Sequence, residues 1–135
     1  MKNNMKFLLS ILSLLFVLSA CKKYEEGPAF SLLTKKARIT GSWKAEKVIS
    51  KSGVMEFVYY DEVMKILKDG DYEFLVGSSI EITGIWDFSQ DKEYLRLNYG
   101  EDGINNIVEY KIIRLKSKEL WLEDAQGEQV NYVPL

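Results

Sequence analysis

Few side chains in this sequence are capable of nucleophilic or metal chemistry. The 135 residues include no histidine and a single cysteine, Cys21. Ser-His-Asp and Cys-His catalysis are therefore excluded, as are zinc sites built from histidines or several cysteines. Carboxylates act as general acids or bases when burial or a charged neighbour shifts their pKa. Glu81 and Asp87 fall on the polar face of a predicted strand, so we predict no catalytic residue and no enzyme.

The acids on either side of Gly70 are the sequence's best candidates for a cation site. Asp69 and Asp71 supply two carboxylates, whereas calcium takes six to eight oxygen ligands. Asp-Gly dipeptides are typical of tight hairpin turns, because both central positions accept positive φ. We predict a hairpin here, with no metal site and no cofactor.

The charge balance argues against a nucleic-acid partner. The chain has 18 basic and 20 acidic residues, and two of the basic ones, Lys2 and Lys6, lie in the first 20 positions. The remaining 16 basic residues stand against all 20 acidic ones, whereas nucleic-acid binders are usually basic. A hydrophobic content of 47% over 135 residues indicates one small globular domain.

The first 20 residues have the pattern of a secretory signal peptide. MKNNMK carries two lysines, and the next twelve residues, FLLSILSLLFVL, contain serine as their single polar type. Twelve helical residues reach about 18 Å, which is short of the roughly 30 Å hydrocarbon core of a membrane. The segment is thus predicted to direct export rather than to span the membrane.

Cys21 follows directly in Leu18-Ser19-Ala20-Cys21, which resembles a bacterial lipobox. The resemblance implies that the precursor is cut before Cys21 and acylated on it, and two or more acyl chains hold a protein stably on a membrane. The alternative is an ordinary signal peptide cut after Ala20 that leaves a free thiol.

The residues after the cysteine bear on location. Lys22 takes the place of the aspartate that retains lipoproteins in the inner membrane, which favours the outer membrane. The segment Lys22-Lys23-Tyr24-Glu25-Glu26 also resembles an export tag to the cell surface in Bacteroidota-type bacteria. A plain charged tether explains it equally well. Both the periplasmic face and the cell surface therefore stay open.

The body of the chain shows strand periodicity. We predict a signal peptide at 1–20, a lipidated cysteine and linker at 21–37, in which Ser31 caps a helical turn, and one β domain at 38–135. In the first strand, Ile39, Trp43, Ala45 and Ile49 share one face. The predicted strands are Arg38–Ser50, Met55–Tyr60, Val63–Leu67, Tyr72–Val76, Ile80–Phe88, Tyr94–Tyr99, Ile107–Leu115, Glu119–Leu122 and Gln129–Val133. Residues 61–68 also fit two helical turns, but we favour a strand.

Gly41-Ser42-Trp43 resembles the G-x-W motif that opens lipocalins. Lys68–Tyr72, Gly84–Phe88 and Ile113–Leu122 follow in the order found in small lipocalin-like lipoproteins of Bacteroidota-type bacteria. The resemblance implies an all-β, up-and-down antiparallel barrel of about eight strands. It also implies structural roles for Gly41, which bends the strand, for Trp43, and for a cation stacked on Trp43, for which we choose Arg114.

Inward-facing rings are the candidate ligand site. Tyr72, Phe74, Trp86 and Phe88 fall on the predicted inner face, where they either line a pocket for an apolar ligand or fill the core. With 98 residues from 38 to 135 spread over about eight strands, the interior is expected to hold at most a small ligand.

Outward-facing rings are the candidate partner surface. Trp121 points outward if Leu120 and Leu122 point inward, and Tyr59 belongs to an aromatic run on the second strand. Tryptophan and tyrosine are enriched at protein interfaces. A cross-strand contact between Trp121 and Tyr132 is the alternative explanation.

The function predicted from the sequence is binding without catalysis. We expect an outer-membrane lipoprotein with a lipocalin-like barrel that binds a small apolar or amphipathic ligand at the cell envelope. The alternative is an accessory lipoprotein with a filled barrel that binds an envelope protein.

Overall fold

The computed structural model describes residues 33–100 and 106–135. The predicted signal peptide, Cys21 and the helical turn predicted at Ser31 lie outside these ranges. Within them the elements are α1 (Lys35–Ile39), β1 (Gly41–Ile49), β2 (Met55–Phe57), β3 (Glu62–Ile66), β4 (Asp71–Val76), β5 (Ser79–Phe88), β6 (Tyr94–Asn98), β7 (Ile107–Lys116), β8 (Glu119–Glu123) and β9 (Gln129–Pro134). In the part of the chain so described, no helix has the length and apolar character needed to cross a membrane.

The strands form one antiparallel sheet that closes on itself. From β3 to β9 each strand pairs with the next along the chain, β3 also pairs with β1, and β1 pairs with β9 to close an eight-stranded barrel. The ninth strand, β2, pairs with the last residues of β1 and stands outside the ring of eight. The predicted all-β antiparallel barrel is confirmed. The choice of strand over helix at residues 61–68 is also confirmed, because β3 spans Glu62–Ile66.

Alternating strand direction gives the barrel two different ends. The connections after β1, β4, β6 and β8 lie at one end, which we call the mouth. The connections after β3, β5 and β7 lie at the other end together with α1, and we call this the closed end. The chain enters the barrel at the closed end.

Helix α1 corrects the prediction of a linker up to residue 37 and a strand from Arg38. Thr34 caps the helix, because its Oγ1 accepts a hydrogen bond from the Ala37 N–H at 3.1 Å. Ile39 is fully buried, and its carbonyl oxygen accepts a 2.7 Å hydrogen bond from Trp43 Nε1. Gly41 has φ +152°, which lets the chain leave the helix and enter β1 directly. The helix thus covers the closed end of the barrel.

Alternate residues of the strands build the core. The side chains with the least exposure are Ile39, Ile66, Leu95, Ile112, Leu115 and Leu120. Trp43 and Trp86 are 3% and 6% exposed, so the prediction that both point into the barrel is confirmed. The closed-end half of the barrel is filled by these side chains, and the open space lies nearer the mouth.

Candidate functional site

An interior cavity of about 200 Å³ extends from the middle of the barrel toward the mouth. It is lined by uncharged side chains, namely Met64, Tyr72, Phe74, Ile82, Leu97, Tyr99, Val108, Tyr110, Leu122 and Tyr132. Its volume lies below the roughly 300 to 1,000 Å³ typical of ligand sites. The expectation that the interior holds at most a small ligand agrees with this volume.

Strand periodicity places the lining residues. On β4, Tyr72 and Phe74 are two positions apart and face inward together, as do Val108 and Tyr110 on β7. Tyr132 of β9 lies directly across from Leu120 of β8, whose side chain is fully buried. Each wall of the cavity is therefore the inner face of a barrel strand.

Two of the four predicted ligand-site residues line the cavity and two do not. Tyr72 and Phe74 line it, whereas Trp86 and Phe88 lie below it at the closed end. Trp86 Nε1 donates a 2.8 Å hydrogen bond to the carbonyl oxygen of Leu67, in the turn after β3. The Trp86 and Phe88 rings meet edge to face, with centroids 5.4 Å apart and an interplanar angle of 85°. Trp86 and Phe88 are therefore packed in the core of the closed end.

Lysines of α1 cover these two rings. The Lys35 ammonium lies 4.8 Å from the centroid of Phe88, and the Lys36 ammonium lies 5.6 Å from that of Trp86. Both distances are within the range of cation–π attraction. The helix therefore adds charge contacts to the apolar contact of Ile39 at this end.

Arg114 stacks on a different tryptophan from the one expected. Its guanidinium lies 4.0 Å from the ring centroid of Trp121, on the outside of the barrel, and its Nη1 donates to Glu119 at 3.3 Å. The reason is register: a bulge between Ile112 and Arg114 places Arg114 directly opposite Trp121. Facing residues on paired strands share one face of the sheet. The predicted stack of Arg114 on Trp43 is therefore wrong.

The two predicted partner-surface residues differ in exposure. Tyr59 follows β2 at the mouth and is 91% exposed. Trp121 is half-buried, because Arg114 covers one face of its ring. Its directly opposed residue on β9 is Asn131, not Tyr132, which faces the interior. The proposed contact between Trp121 and Tyr132 is therefore not formed.

Several lining residues were missed by the sequence analysis. Tyr99, Tyr110 and Met64 all line the cavity, and Tyr132 was considered only as a neighbour of Trp121. The signal for Tyr110 was present in the sequence, since it alternates with Val108 and Ile112 on β7. Tyr99 likewise alternates with Leu95 and Leu97 in the predicted strand Tyr94–Tyr99, so its inward position could have been predicted too.

Four tyrosines give the cavity its chemistry. Burial, followed by the nearby Tyr99 and Tyr110 phenols, raises the pKa of Tyr72 to about 12. Burial also raises the pKa of Tyr110 and Tyr132, with smaller contributions from neighbouring phenols and acids. These three phenols are thus neutral at physiological pH and present O–H groups to the cavity. The site combines apolar walls with polar O–H groups that donate and accept hydrogen bonds.

Exposed apolar side chains surround the mouth. They belong to β2 and its flanking residues, to both sides of the β4–β5 turn, and to the ends of β6 and β7. These residues are Val54, Met55, Phe57, Tyr59, Tyr60, Val76, Ile80, Ile82, Tyr99 and Ile107. Contiguous exposed apolar surface marks a binding groove or an interaction site.

The charged residues beside the cavity are acidic. Two shallower depressions, of about 470 and 510 Å³, flank the cavity and are lined in part by Glu81 and by Glu109 and Asp124, respectively. No lysine or arginine among the described residues lines the cavity or these two depressions. The charged side chains that line these two depressions are therefore acids, although Glu109 also lies directly across from Arg96 on β6.

The chemistry of the cavity is that of its uncharged lining. Within residues 33–100 and 106–135, no three Cys, Asp or Glu side chains lie close enough together to hold a metal ion. The cavity lining itself contains phenols, a thioether and hydrocarbon side chains. Groups of these kinds make apolar contacts, ring contacts and hydrogen bonds with small molecules in protein cavities.

Comparison with known proteins places the architecture. No protein-family model and no curated protein matches the chain. Among solved structures, the chain is similar to a lipocalin-like protein from Bacteroides uniformis ATCC 8492, with a TM-score of 0.60 and 13% sequence identity. The match covers 73% of this chain and 99% of that protein. At this identity the likeness establishes the fold, which is a lipocalin-like antiparallel barrel.

Proposed function

We propose that this protein is an outer-membrane lipoprotein whose barrel binds one small apolar or amphipathic molecule at the cell envelope. The observation that carries the binding function is the interior cavity of about 200 Å³, which is lined only by uncharged side chains. The lipobox-like segment before Cys21 supports the anchoring.

The volume of the cavity limits the size of the ligand. An engineered apolar cavity of about 150 Å³ accommodates benzene. A cavity of about 200 Å³ therefore holds a single ring with a small substituent, or a branched molecule of similar size. Longer molecules such as fatty acids would have to extend through the mouth, where exposed apolar side chains such as Ile82 and Tyr99 offer contact.

We expect the mature chain to carry a small molecule when it is purified from its own host. Every described helix and strand lies between residues 35 and 134, so residues 22–135 contain the whole barrel. Native mass spectrometry of this form is expected to show a bound species of low mass. Val108→Phe adds a ring to the cavity wall and is expected to abolish that species.

The matched control for this experiment is Ile85→Phe. Ile85 is 58% exposed and is not part of the cavity lining, so a phenylalanine ring introduced there is expected to leave the bound species in place. A protein that carries no small molecule, recovered together with an envelope protein, would contradict the ligand-binding proposal.

We expect Cys21→Ala to release the protein from the membrane. The substitution removes the thiol to be acylated, and a barrel without acyl chains loses the hydrocarbon burial of about 0.8 kcal/mol per CH₂ that anchors it. Fractionation of wild-type and variant cells is the measurement. The wild type is expected with the outer membrane, and continued membrane association of the variant would refute lipid anchoring at Cys21.

A second function, binding to an envelope protein, is favoured by one observation. Phe57, Tyr59 and Tyr60 are between 60% and 91% exposed, and all three lie in or just after β2 at the mouth. Exposed aromatic residues of this kind are common anchors in protein interfaces. Recovery of the same partner with wild-type protein, and its loss with Tyr59→Ser, would support this alternative.

A further inference from the structure

Half of the cavity lining consists of aromatic rings. The five are Tyr72, Phe74, Tyr99, Tyr110 and Tyr132. A spherical space of about 200 Å³ is roughly 7 Å across, so a group at its centre lies close to the lining, within the roughly 6 Å range of cation–π attraction. Several rings thus surround any molecule bound there.

The charged side chains that act on the phenols of the cavity have the same sign. Asp124 contributes to the raised pKa of Tyr110, and Glu62 contributes to that of Tyr132. An acid that raises the pKa of a phenol does so by making the phenolate less favourable. The same negative potential lowers the energy of a cation in that space.

Desolvation on burial opposes the stabilisation of a cation in the cavity, so the favourable interactions must exceed it. Burial is the largest cause of the raised pKa values of Tyr72, Tyr110 and Tyr132, and desolvation penalises a charge of either sign. For an anion, the aromatic faces and the acids add further cost. For a cation, the aromatic faces and the acids offset the desolvation penalty. Aromatic cages are a known means of binding quaternary ammonium groups.

We propose that the cavity selects a small organic cation, an amine or a quaternary ammonium, over uncharged and anionic molecules of the same shape. This inference rests on the proposed ligand-binding function and specifies the chemical class of the ligand. In this proposal the five rings contact the cation, and Glu62 and Asp124 supply the surrounding negative potential.

Three probes of one skeleton test the selectivity. Choline, 3,3-dimethylbutan-1-ol and 3,3-dimethylbutanoate share a branched head of the same shape and differ mainly in charge. Isothermal titration calorimetry of residues 22–135 at neutral pH is the measurement. Choline is expected to bind about ten-fold more tightly than the alcohol, and the carboxylate more weakly than either.

The outcomes separate this inference from the function on which it rests. If the alcohol or the carboxylate binds as tightly as choline, cation selectivity is overturned and the binding function stands. If none of the three binds, cation selectivity is overturned, and the binding function is decided separately by the native mass spectrometry described above. Binding in the expected order supports both.

Variants at the mouth test the source of the selectivity. Asp124→Asn and Glu62→Gln each remove one negative charge, and each is expected to lower the ratio of choline to alcohol affinity about three-fold. Asp124 accepts the N–H groups of Gln126 and Glu128 at 2.9 and 2.8 Å through one side-chain oxygen, and the amide that replaces its carboxylate keeps such an oxygen. The folded loop is therefore expected to persist.

The control for these variants is Asp69→Asn at the closed end. Asp69 also accepts a backbone N–H through its side chain, from Asp71 at 3.3 Å, but it lies in the turn after β3, at the end away from the mouth. Its substitution is expected to leave the affinity ratio unchanged. An equal fall in the ratio for Asp69→Asn would overturn the assignment of the potential to the mouth acids.

Discussion

Trp43→Ala is expected to lower the free energy of unfolding by about 3 to 5 kcal/mol, the usual cost of truncating a large core side chain. Trp43 is 3% exposed and packs within the core cluster beside Ile39 and Met64. Its Nε1 also donates the 2.7 Å hydrogen bond to Ile39 that joins α1 to β1. The substitution thus leaves a cavity and removes this hydrogen bond between α1 and β1. The free energy of unfolding of small domains is about 5 to 15 kcal/mol, so the expected loss is a large fraction of it.

Chemical denaturation followed by circular dichroism measures this loss. Two further variants keep the prediction testable if Trp43→Ala does not fold. Trp43→Phe keeps most of the apolar volume and loses the hydrogen bond to Ile39, so it is expected to cost about 1 to 3 kcal/mol. Trp121→Ala removes a half-buried ring on the outer face and is expected to cost less than Trp43→Ala. A loss for Trp43→Ala no larger than that for Trp121→Ala would contradict the place of Trp43 in the core.

Gly84→Ala is expected to cost about 3 kcal/mol, at the upper end of the usual penalty for overpacking. A Cβ at position 84 would lie 2.1 Å from the carbonyl oxygen of Asn98 and 2.6 Å from Cε1 of Tyr72. Tyr72 is the cross-strand partner of Gly84 and is 3% exposed, and the Asn98 oxygen belongs to the backbone of the neighbouring strand. Neither group moves away without disturbing β4 or β6.

Urea denaturation of Gly84→Ala beside Thr83→Ala isolates this effect. Thr83 is adjacent on β5 but exposed, so its substitution is expected to cost at most about 1 kcal/mol through strand propensity. Because Tyr72 lines the cavity, the Gly84 variant is also expected to weaken ligand binding. Equal stabilities for the two variants would refute the close approach of β5 to Tyr72 and Asn98.

The strand pattern was accessible from the sequence because period-2 alternation and turn residues are local signals. Every described strand from β1 to β9 overlaps a predicted one, and the Asp-Gly turn at residues 69–70 joins β3 to β4 as expected. The short helix α1 was not predicted. Its five residues are too few to show a helical period, and the cap at Thr34 is a single residue.

Bulges explain why some side chains were assigned to the wrong face. Strict alternation predicts that Ile80 and Ile82 share one face of β5, but the pairing shifts between Phe74 and Leu75, so Ile80 faces Leu75 while Ile82 faces Phe74. A similar shift on β7 turns Arg114 outward. A bulge adds one residue on one strand and reverses the alternation beyond it. The position of a bulge depends on the pairing of two strands and cannot be predicted from the sequence of either strand alone.

Strand register also explains why only two of the four predicted ligand-site residues line the cavity. Alternation showed that Tyr72, Phe74, Trp86 and Phe88 face inward, but it did not show their height along the barrel axis. That height follows from strand register, which places Trp86 and Phe88 under α1 and leaves the open space beside Tyr72 and Phe74. The resemblance to lipocalins predicted the fold, whereas the residues that line the cavity were identified from the structure.

The most direct test of a ligand inside the barrel uses the two methionines of residues 22–135. Met64 lines the cavity and is 3% exposed, whereas Met55 lies on β2 and is 53% exposed. Methyl NMR of protein labelled with ¹³C at the methionine methyls, titrated with benzyl alcohol, reports on both places at once. The proposed function predicts a saturable shift of the Met64 methyl with little change at Met55. A titration in which Met64 does not move, or in which Met55 alone moves, would contradict binding within the barrel.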